Sequence, residues 1–462
     1  MSSLDNLPTF TAAAIATRTD ATKGRFVEAT SSFAPGDIIF KDDAFVFASC
    51  DCEELLPDET QFAKLLDDGE AQSEYARSMR KPFQKILLAM VDLEIISDVD
   101  RAKCILKCIT KYVENKKALA DLLQLSHAND EACKEAAATL RKAYPMVFQA
   151  VPAPVLTKII GVLNTNSHEL ETLGGSGLFL SACLMEHNCA PNCSFTTAAT
   201  TLWVTAIRPI AVGEPLSIDY GNMFYRPTAE RQASMLDGYG FECTCSACSS
   251  APDLARAFRC PHCPSGVVHP CPTTGYVCTS CKQSLAPAQV EAVCAAEAAL
   301  QEEFPDSLEA IEAASKELLH PNHYLLFWAL DALGLRGAQA LVHNVEKLAV
   351  MWDRIISSME YAVPGPHHEK TIYYDQLAQV RVITGDIAGA QAAYTKAYEI
   401  SCIVSGATTP PTLALKELMD DVPKSRDELV ERYGTGHDEY MDEEDEFDDD
   451  DDDDDDDDED MD

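Results

Sequence analysis

Leu184-Met185-Glu186-His187-Asn188-Cys189-Ala190-Pro191-Asn192-Cys193 places a histidine, two cysteines and a proline-restricted turn within ten residues. That is too polar and too bent for the interior of a strand or helix, so the stretch reads as a site. Two later pieces make sense only in relation to it. Ser217-Ile218-Asp219-Tyr220-Gly221 is a short apolar run ending on an acid and a tyrosine. Cys243-Thr244-Cys245-Ser246-Ala247-Cys248 offers three thiolates, whereas tetrahedral zinc takes four ligands. The fourth must come from elsewhere in the chain, and Cys189 and Cys193 are the candidates.

A second cluster needs no distant partner. Cys260-Pro-His-Cys263 and Cys278-Thr-Ser-Cys281 form two C-x2-C knuckles around a stretch bearing Gly and Pro, the arrangement of a closed structural zinc ribbon. His262 and Cys271 are alternative donors there. Cys104 and Cys108 sit four apart on a helical pattern and are expected in a core. Cys50 and Cys52 are the remaining closely spaced pair. The expected metal content is about two zinc ions.

The chain has 462 residues, 46% of them hydrophobic, with a formal charge of −40. Residues 438 to 462 hold 21 Asp or Glu and no Lys or Arg, which leaves −19 on the rest. An acidic body lacks the basic face that direct nucleic-acid binding requires. No apolar run reaches the roughly 20 residues that cross a bilayer, and Met1 to Asp20 lack a basic segment followed by an apolar one. These features predict an intracellular protein of the cytoplasm or nucleus, where close cysteines bind metal rather than form disulfides.

After a lead (1–20), Gly24-Arg25-Phe26-Val27-Glu28-Ala29 alternates as a strand, and Pro35-Gly36-Asp37 turns into Ile38-Ile39-Phe40 and Phe45-Val46-Phe47. Helical periodicity then takes over, with Ile86, Leu87, Met90, Ile105, Ile109 and Tyr112 as its apolar face. Strand character returns after Pro154. Gly174 to Gly177 reads as a flexible turn before a strand at Leu178-Phe179-Leu180. The expected class is α+β: a β-rich domain split into halves at 21–48 and 156–241 by a helical insertion (49–155), a cysteine motif at 242–250, a ribbon at 255–286, a helical domain at 287–431 and a disordered acidic tail at 432–462. Within the helical domain, Gly385-Asp386 followed by small residues and Tyr394 and Tyr398 is similar to half of a tetratricopeptide repeat.

Gly24-Arg25-Phe26, then Glu186-His187-Asn188-Cys189-Ala190-Pro191-Asn192, then Pro215-Leu216-Ser217-Ile218-Asp219-Tyr220, then the Cys243 cluster: in this order the four motifs resemble the SET-domain protein lysine methyltransferases. The split core, the cysteine-rich post-SET segment and the helical C-terminal domain resemble the SET-and-MYND subfamily most. Two departures stand out. The MYND zinc module is absent, and Glu186 stands where that family usually has asparagine.

The resemblance implies S-adenosylmethionine as cofactor and a lysine-bearing protein, histone or other, as substrate. It implies that Lys23, Gly24, Arg25 and Phe26 lie along the cofactor and that Asn166, with Asn164 as the competing position, meets its methionine moiety. Glu186 and His187 would line the pocket, largely through the His187 backbone, and Phe241 would stack near the adenine. Tyr220 and Tyr239 would face the methyl-transfer channel, with Tyr220 among the cofactor contacts. Cys189 would complete the post-SET zinc site. A contrasting expectation is a non-catalytic, zinc-braced scaffold that binds partners, basic proteins such as histones among them, through the helical domain and acidic tail.

Overall fold

The structure, a computed structural model, describes residues 14–20, 24–49, 86–87, 90, 99–170, 173–221, 223–340 and 345–433. Lys23, Cys50, Cys52, most of the insertion before residue 99 and the tail from 434 lie outside the described residues.

The split β-rich domain assembles as the two halves require. The end of the lead is itself a strand: β1 (Ile15–Asp20) pairs antiparallel with β2 (Gly24–Ala29), burying Ile15, Val27 and Ala29 on one side. From the Pro35-Gly36 turn the chain enters β3 (Ile38–Asp43) and β4 (Val46–Ser49). Gly36 has φ +91°, and a Cβ there would stand 3.0 Å from the Cys402 carbonyl oxygen. The turn therefore needs glycine for its backbone conformation and for the approach of a segment 366 residues away.

The helical insertion, where described, caps an exposed sheet edge. In α1 (Val99–Glu114), Lys103 and Lys107 donate from Nζ to the Ser49 and Phe47 carbonyls at 2.8 and 2.7 Å. These are alternate carbonyls on the free edge of β4, which would otherwise be an open pairing site. Cys104 and Cys108 of the same helix are fully buried, as the helical spacing predicts. The helices α2 (Asp130–Ala143) and α3 (Pro145–Phe148) follow.

Two sequence expectations fail next. Residues after Pro154 are not strand-like: α4 spans Ala153–Asn166, with proline in its first turn. Its Leu156, Ile159, Ile160 and Leu163 fall at helical spacing and are fully buried; the β-branched Val155, Ile159, Ile160 and Val162 among them favour a strand reading. Nor is Gly174 to Gly177 a simple turn. Only Gly174 has positive φ, and β6 (Gly175–Leu178) lies between β4 and β5 (Ser167–Leu170). A Cβ on Gly175 would lie 2.1 Å from the Ala48 oxygen, so glycine permits that pairing.

The second half then supplies β7 (Glu186–His187), β8 (Cys193–Ala198), β9 (Thr201–Ala206) and β10 (Ser217–Ile218). β9 lies between β3 and β8, and β7 pairs parallel with β10. One core runs through both halves and the insertion, with Phe40, Phe148 and Phe179 fully buried. Each such ring contributes roughly 1.5–3 kcal/mol by leaving water.

After β10 come α5 (Thr228–Tyr239) and α6 (Ser246–Ser249), then the ribbon β11 (Phe258–Arg259), β12 (Val267–His269) and β13 (Val277–Cys278). A second core joins the ribbon to the C-terminal helices, where Tyr225 stacks on Phe327 with centroids 4.2 Å apart. The 385–398 unit lies within a helical hairpin: His368–Ile383 packs on Ile387–Ser401, with Gly385 at φ +79° in the bend and Asp386 accepting from the Gly389 N–H at 2.9 Å. A π-turn at Cys402–Gly406 then packs against β8 and β9, seating the helical domain on the split sheet.

Candidate active site and zinc clusters

The site is built on the Leu184–Cys193 stretch. A 3-10 turn at Ala182–Leu184 enters it, and Asp42 of β3 accepts from the Ser181 and Ala182 N–H groups at 2.7 and 3.0 Å. Burial raises the Asp42 pKa to about 6, against the pull of those two N–H groups. A carboxyl that holds its proton longer when folded loses stabilising effect as pH rises from the unfolded value near 3.8 through about 6. Relative to Asp42→Asn, whose amide oxygen can accept the same two bonds, the native protein should lose about 2–3 kcal/mol between pH 4 and 7. Denaturant unfolding of both proteins across that range checks it; parallel profiles would refute it.

Beyond the turn, the Asn188 N–H donates to the Ile218 carbonyl at 3.0 Å, extending the β7–β10 pairing. Asn192, only 1% exposed, fastens the same crossing. Its Nδ2 donates to the Pro215 oxygen at 2.8 Å, and its Oδ1 accepts from the Ser217 N–H at 2.8 Å. This side chain is fully committed to structure. The crossing brings Tyr220 against the start of the stretch, where its hydroxyl donates to the Met185 carbonyl. The Tyr239 hydroxyl donates to the Tyr220 carbonyl at 2.9 Å, and the two rings stand 4.9 Å apart. Burial raises both phenol pKa values, so both are neutral phenols at physiological pH. Burial also raises the Asp219 pKa and lowers that of His187.

A cleft of about 840 Å³ opens beside this pair. Arg25, Asn166, Glu186, His187, Tyr220, Tyr239 and Phe241 all line it, so residues from five separate stretches converge. Gly24 and Phe26 lie in β2 beside Arg25 but are not among the lining residues. Asn164 lines a separate cavity of about 470 Å³, which distinguishes it from Asn166. Both Asn166 N–H groups are taken, by the Ser126 and Val162 carbonyls at 3.0 Å each, so what this residue offers is its amide oxygen. The insertion forms one wall through Leu125, Ser126 and His127. Sequence reasoning missed that wall because the 125–127 segment carries no motif, and only the packing of α2 on α4 and the Asn166 bond bring it in.

Both zinc clusters assemble. Cys189, Cys243, Cys245 and Cys248 have their sulfurs within 4.8 Å of one another, as do Cys260, Cys263, Cys278 and Cys281. Four sulfurs around zinc at about 2.3 Å stand about 3.8 Å apart. The Cys189 sulfur lies 3.8 Å from Cys243 and 3.5 Å from Cys248, and the ribbon pairs Cys260–Cys281 and Cys263–Cys278 lie 3.7 Å apart. The donor sets therefore fit closed structural zinc sites. Cys193 instead faces Asn192 Oδ1 at 3.3 Å, and burial pushes its thiol up to about 12. His262 offers Cys260 only its backbone N–H, and Cys271 turns to the Ser250 carbonyl. At Gly266 a Cβ would stand 2.4 Å from the Cys263 sulfur, so the ribbon turn has room for glycine only. Arg231, unremarked in the sequence, places Nη2 3.8 Å from the Cys248 sulfur.

Residues 24–221 match the SET domain family model. Human histone-lysine N-methyltransferase SMYD3 is 34% identical over 144 residues, 31% of this chain and 32% of that protein. Its mouse counterpart is 23% identical over 264 residues, 50% of this chain and 60% of that protein. Fission yeast (Schizosaccharomyces pombe) histone-lysine N-methyltransferase set5 is 32% identical over 111 residues, 24% of this chain and 34% of that protein. The chain thus spans between about a third and three fifths of these three relatives. Among solved structures, Rubisco LSMT bound to AdoMet aligns over 93% of this chain and 97% of its own at 12% identity, with a TM-score of 0.33, too loose an overlap to place any residue. Residues 24–221 are thus similar to the SET domain, and the matched relatives named here are lysine methyltransferases.

Proposed function

We propose that this protein is an S-adenosylmethionine-dependent protein-lysine N-methyltransferase. One observation carries the reading: a single cleft gathers Arg25, Asn166, Glu186, His187 and Phe241 beside the neutral phenols Tyr220 and Tyr239. The cofactor is a zwitterionic amino acid joined through a sulfonium to adenosine, and the donor set suits it. The Arg25 guanidinium complements its carboxylate, while the Asn166 amide oxygen and the Glu186 carboxylate complement its ammonium. Glutamate in place of the usual asparagine thus keeps the acceptor this position needs. Phe241, within 6.0 Å of the His187 ring, supplies an apolar face for the adenine. Lys23, Gly24 and Phe26 would lie along the cofactor beside Arg25.

When bound, the cofactor supplies an electrophilic methyl on a positively charged sulfur. The chain's part is to align a lysine amine in line with it, a gain of several kcal/mol from proximity. A free lysine, with a pKa near about 10.4, is mostly protonated; a buried aromatic channel beside a cation favours the neutral amine. The Tyr220 O–H donates its hydrogen bond to the Met185 carbonyl, so its oxygen is left to accept an amine N–H and aim the nitrogen lone pair. Tyr239 narrows the channel and limits how many methyls fit. The hairpin of His368–Ile383 and Ile387–Ser401 would be one unit of a tetratricopeptide-like domain presenting the substrate protein, and the acidic tail would attract basic proteins such as histones. Thiolate zinc ligation requires reduced cysteines, which favours the cytoplasm or nucleus.

Calorimetry and thermal shift of the zinc-loaded protein with S-adenosylmethionine test the reading. A saturable heat and a raised Tm, larger than with adenosine alone, are expected. No heat and no shift at millimolar cofactor would overturn it and leave the zinc-braced scaffold.

A further inference from the structure

We propose that the His187 side chain is a positioning residue that ties the Cys189 zinc cluster to the Tyr220 backbone. The inference rests on the zinc and methyltransferase readings above, and assigns this ring a role that the family motif gives to its backbone.

The His187 ring bridges two groups. Nδ1 lies 3.2 Å from the Tyr220 backbone nitrogen, and Nε2 lies 3.3 Å from the Cys189 sulfur. The Tyr220 N–H is a donor only, so Nδ1 accepts from it; a neutral imidazole that accepts at Nδ1 carries its proton at Nε2. That proton points at Cys189. The Asp219 carboxylate is 3.8 Å from Nδ1, but its oxygens accept from the Gly221 and Met223 N–H groups at 3.2 and 2.6 Å. The tautomer is thus fixed from the Tyr220 side. With the His187 side chain 1% exposed, no water competes for the Cys189 sulfur from that side.

The chemistry of the cluster gives the contact its use. Four thiolates around one divalent zinc leave a net charge of about −2 in a partly buried place, and N–H donors to the sulfurs offset it. Arg231 donates to Cys248 at 3.8 Å and His187 to Cys189 at 3.3 Å, while backbone N–H groups of Cys189 and Cys248 serve Cys245. Arg231 leads away toward Asp253. His187 leads directly to Tyr220, whose ring centroid is 5.4 Å from its own. Zinc held by Cys189 therefore sets the height of the Tyr220 backbone, and with it the Tyr220 hydroxyl.

The test uses the full-length, zinc-loaded protein and two variants. His187→Gln can present an N–H near the Nε2 position. His187→Asn can replace only the Nδ1 acceptor. Transfer of zinc to a colorimetric chelator is followed, with the ribbon zinc as internal control. In His187→Asn one of the two zinc ions should leave about 10–100-fold faster, the other at the native rate, and His187→Gln should recover most of the difference. Unchanged release of both ions in His187→Asn would overturn the proposal, as would equal acceleration in the two variants. A measurement on the native protein covers the case in which neither variant folds. The 15N shifts of labelled histidine should give a buried ring protonated at Nε2, and the Nδ1-protonated form there would overturn the assignment. If the native protein shows no cofactor thermal shift, the methyltransferase reading fails while the zinc-release comparison still decides the role of His187.

Discussion

Tyr220→Phe should lower the rate of methyl transfer by about 10²–10³-fold while leaving cofactor affinity within a few-fold of native. The hydroxyl is the only group removed. The ring contacts with His187 and Tyr239, at 5.4 and 4.9 Å between centroids, remain. Loss of the hydrogen bond to the Met185 carbonyl costs about 1 kcal/mol of stability, too little to unfold a domain of this size. The lost rate reflects the missing acceptor that aims the amine lone pair, a contact that matters most as carbon and nitrogen close. Single-turnover transfer of a labelled methyl group to a protein extract, with cofactor affinity measured in parallel, checks the prediction. Equal labelling by native and variant proteins would reduce Tyr220 to a packed tyrosine.

Cys243→Ala and Cys278→Ala should each take native mass from two zinc ions per chain to one, with different consequences. Structural zinc binds zinc-finger peptides with about 10–16 kcal/mol, comparable to the whole stability of an ordinary domain, so losing either ion is a large change. The Cys243 cluster shares its small core with Tyr220, Tyr239 and Met235, and Phe241 lies two residues from Cys243. Cys243→Ala should therefore abolish the cofactor thermal shift. The ribbon instead packs into the second core, with Phe258 and Phe327. Cys278→Ala should lower Tm and weaken the seat of the C-terminal helices, yet keep the cofactor shift. Two zinc ions retained in either variant, or equal loss of cofactor binding in both, would contradict the assignment.

Local chemistry was legible in the chain. Spacing alone singles out the ribbon thiols, because C-x2-C knuckles have few uses in a reducing environment and their partner lies within 22 residues. Three ligands of the other cluster stand out equally; spacing leaves Cys189 and Cys193 both open as the fourth, and the family resemblance favours Cys189, the one that the structure brings to the cluster. The physical reason lies in space: Asn192 and the first core hold Cys193, while β7 delivers Cys189 to the far cluster. The α4 helix was misread for a related reason. Its i, i+3, i+4, i+7 spacing is present, but the β-branched Val155, Ile159, Ile160 and Val162 suit a strand as well, and which faces are buried is itself a tertiary fact.

The sequence by itself therefore determined the split β-rich architecture, the thiol clusters, and a motif set whose order points to a SET domain, since each depends on residues near one another in the chain or on covalent spacing. Only the tertiary structure decided that the 125–127 segment walls the cleft and that Asn166 offers an oxygen and not an N–H. It also decided that His187 faces a sulfur with one nitrogen and the Tyr220 backbone with the other. Such choices depend on hydrogen bonds across tens of residues, and a donor's partner is fixed only when folding removes the water that would otherwise take its place.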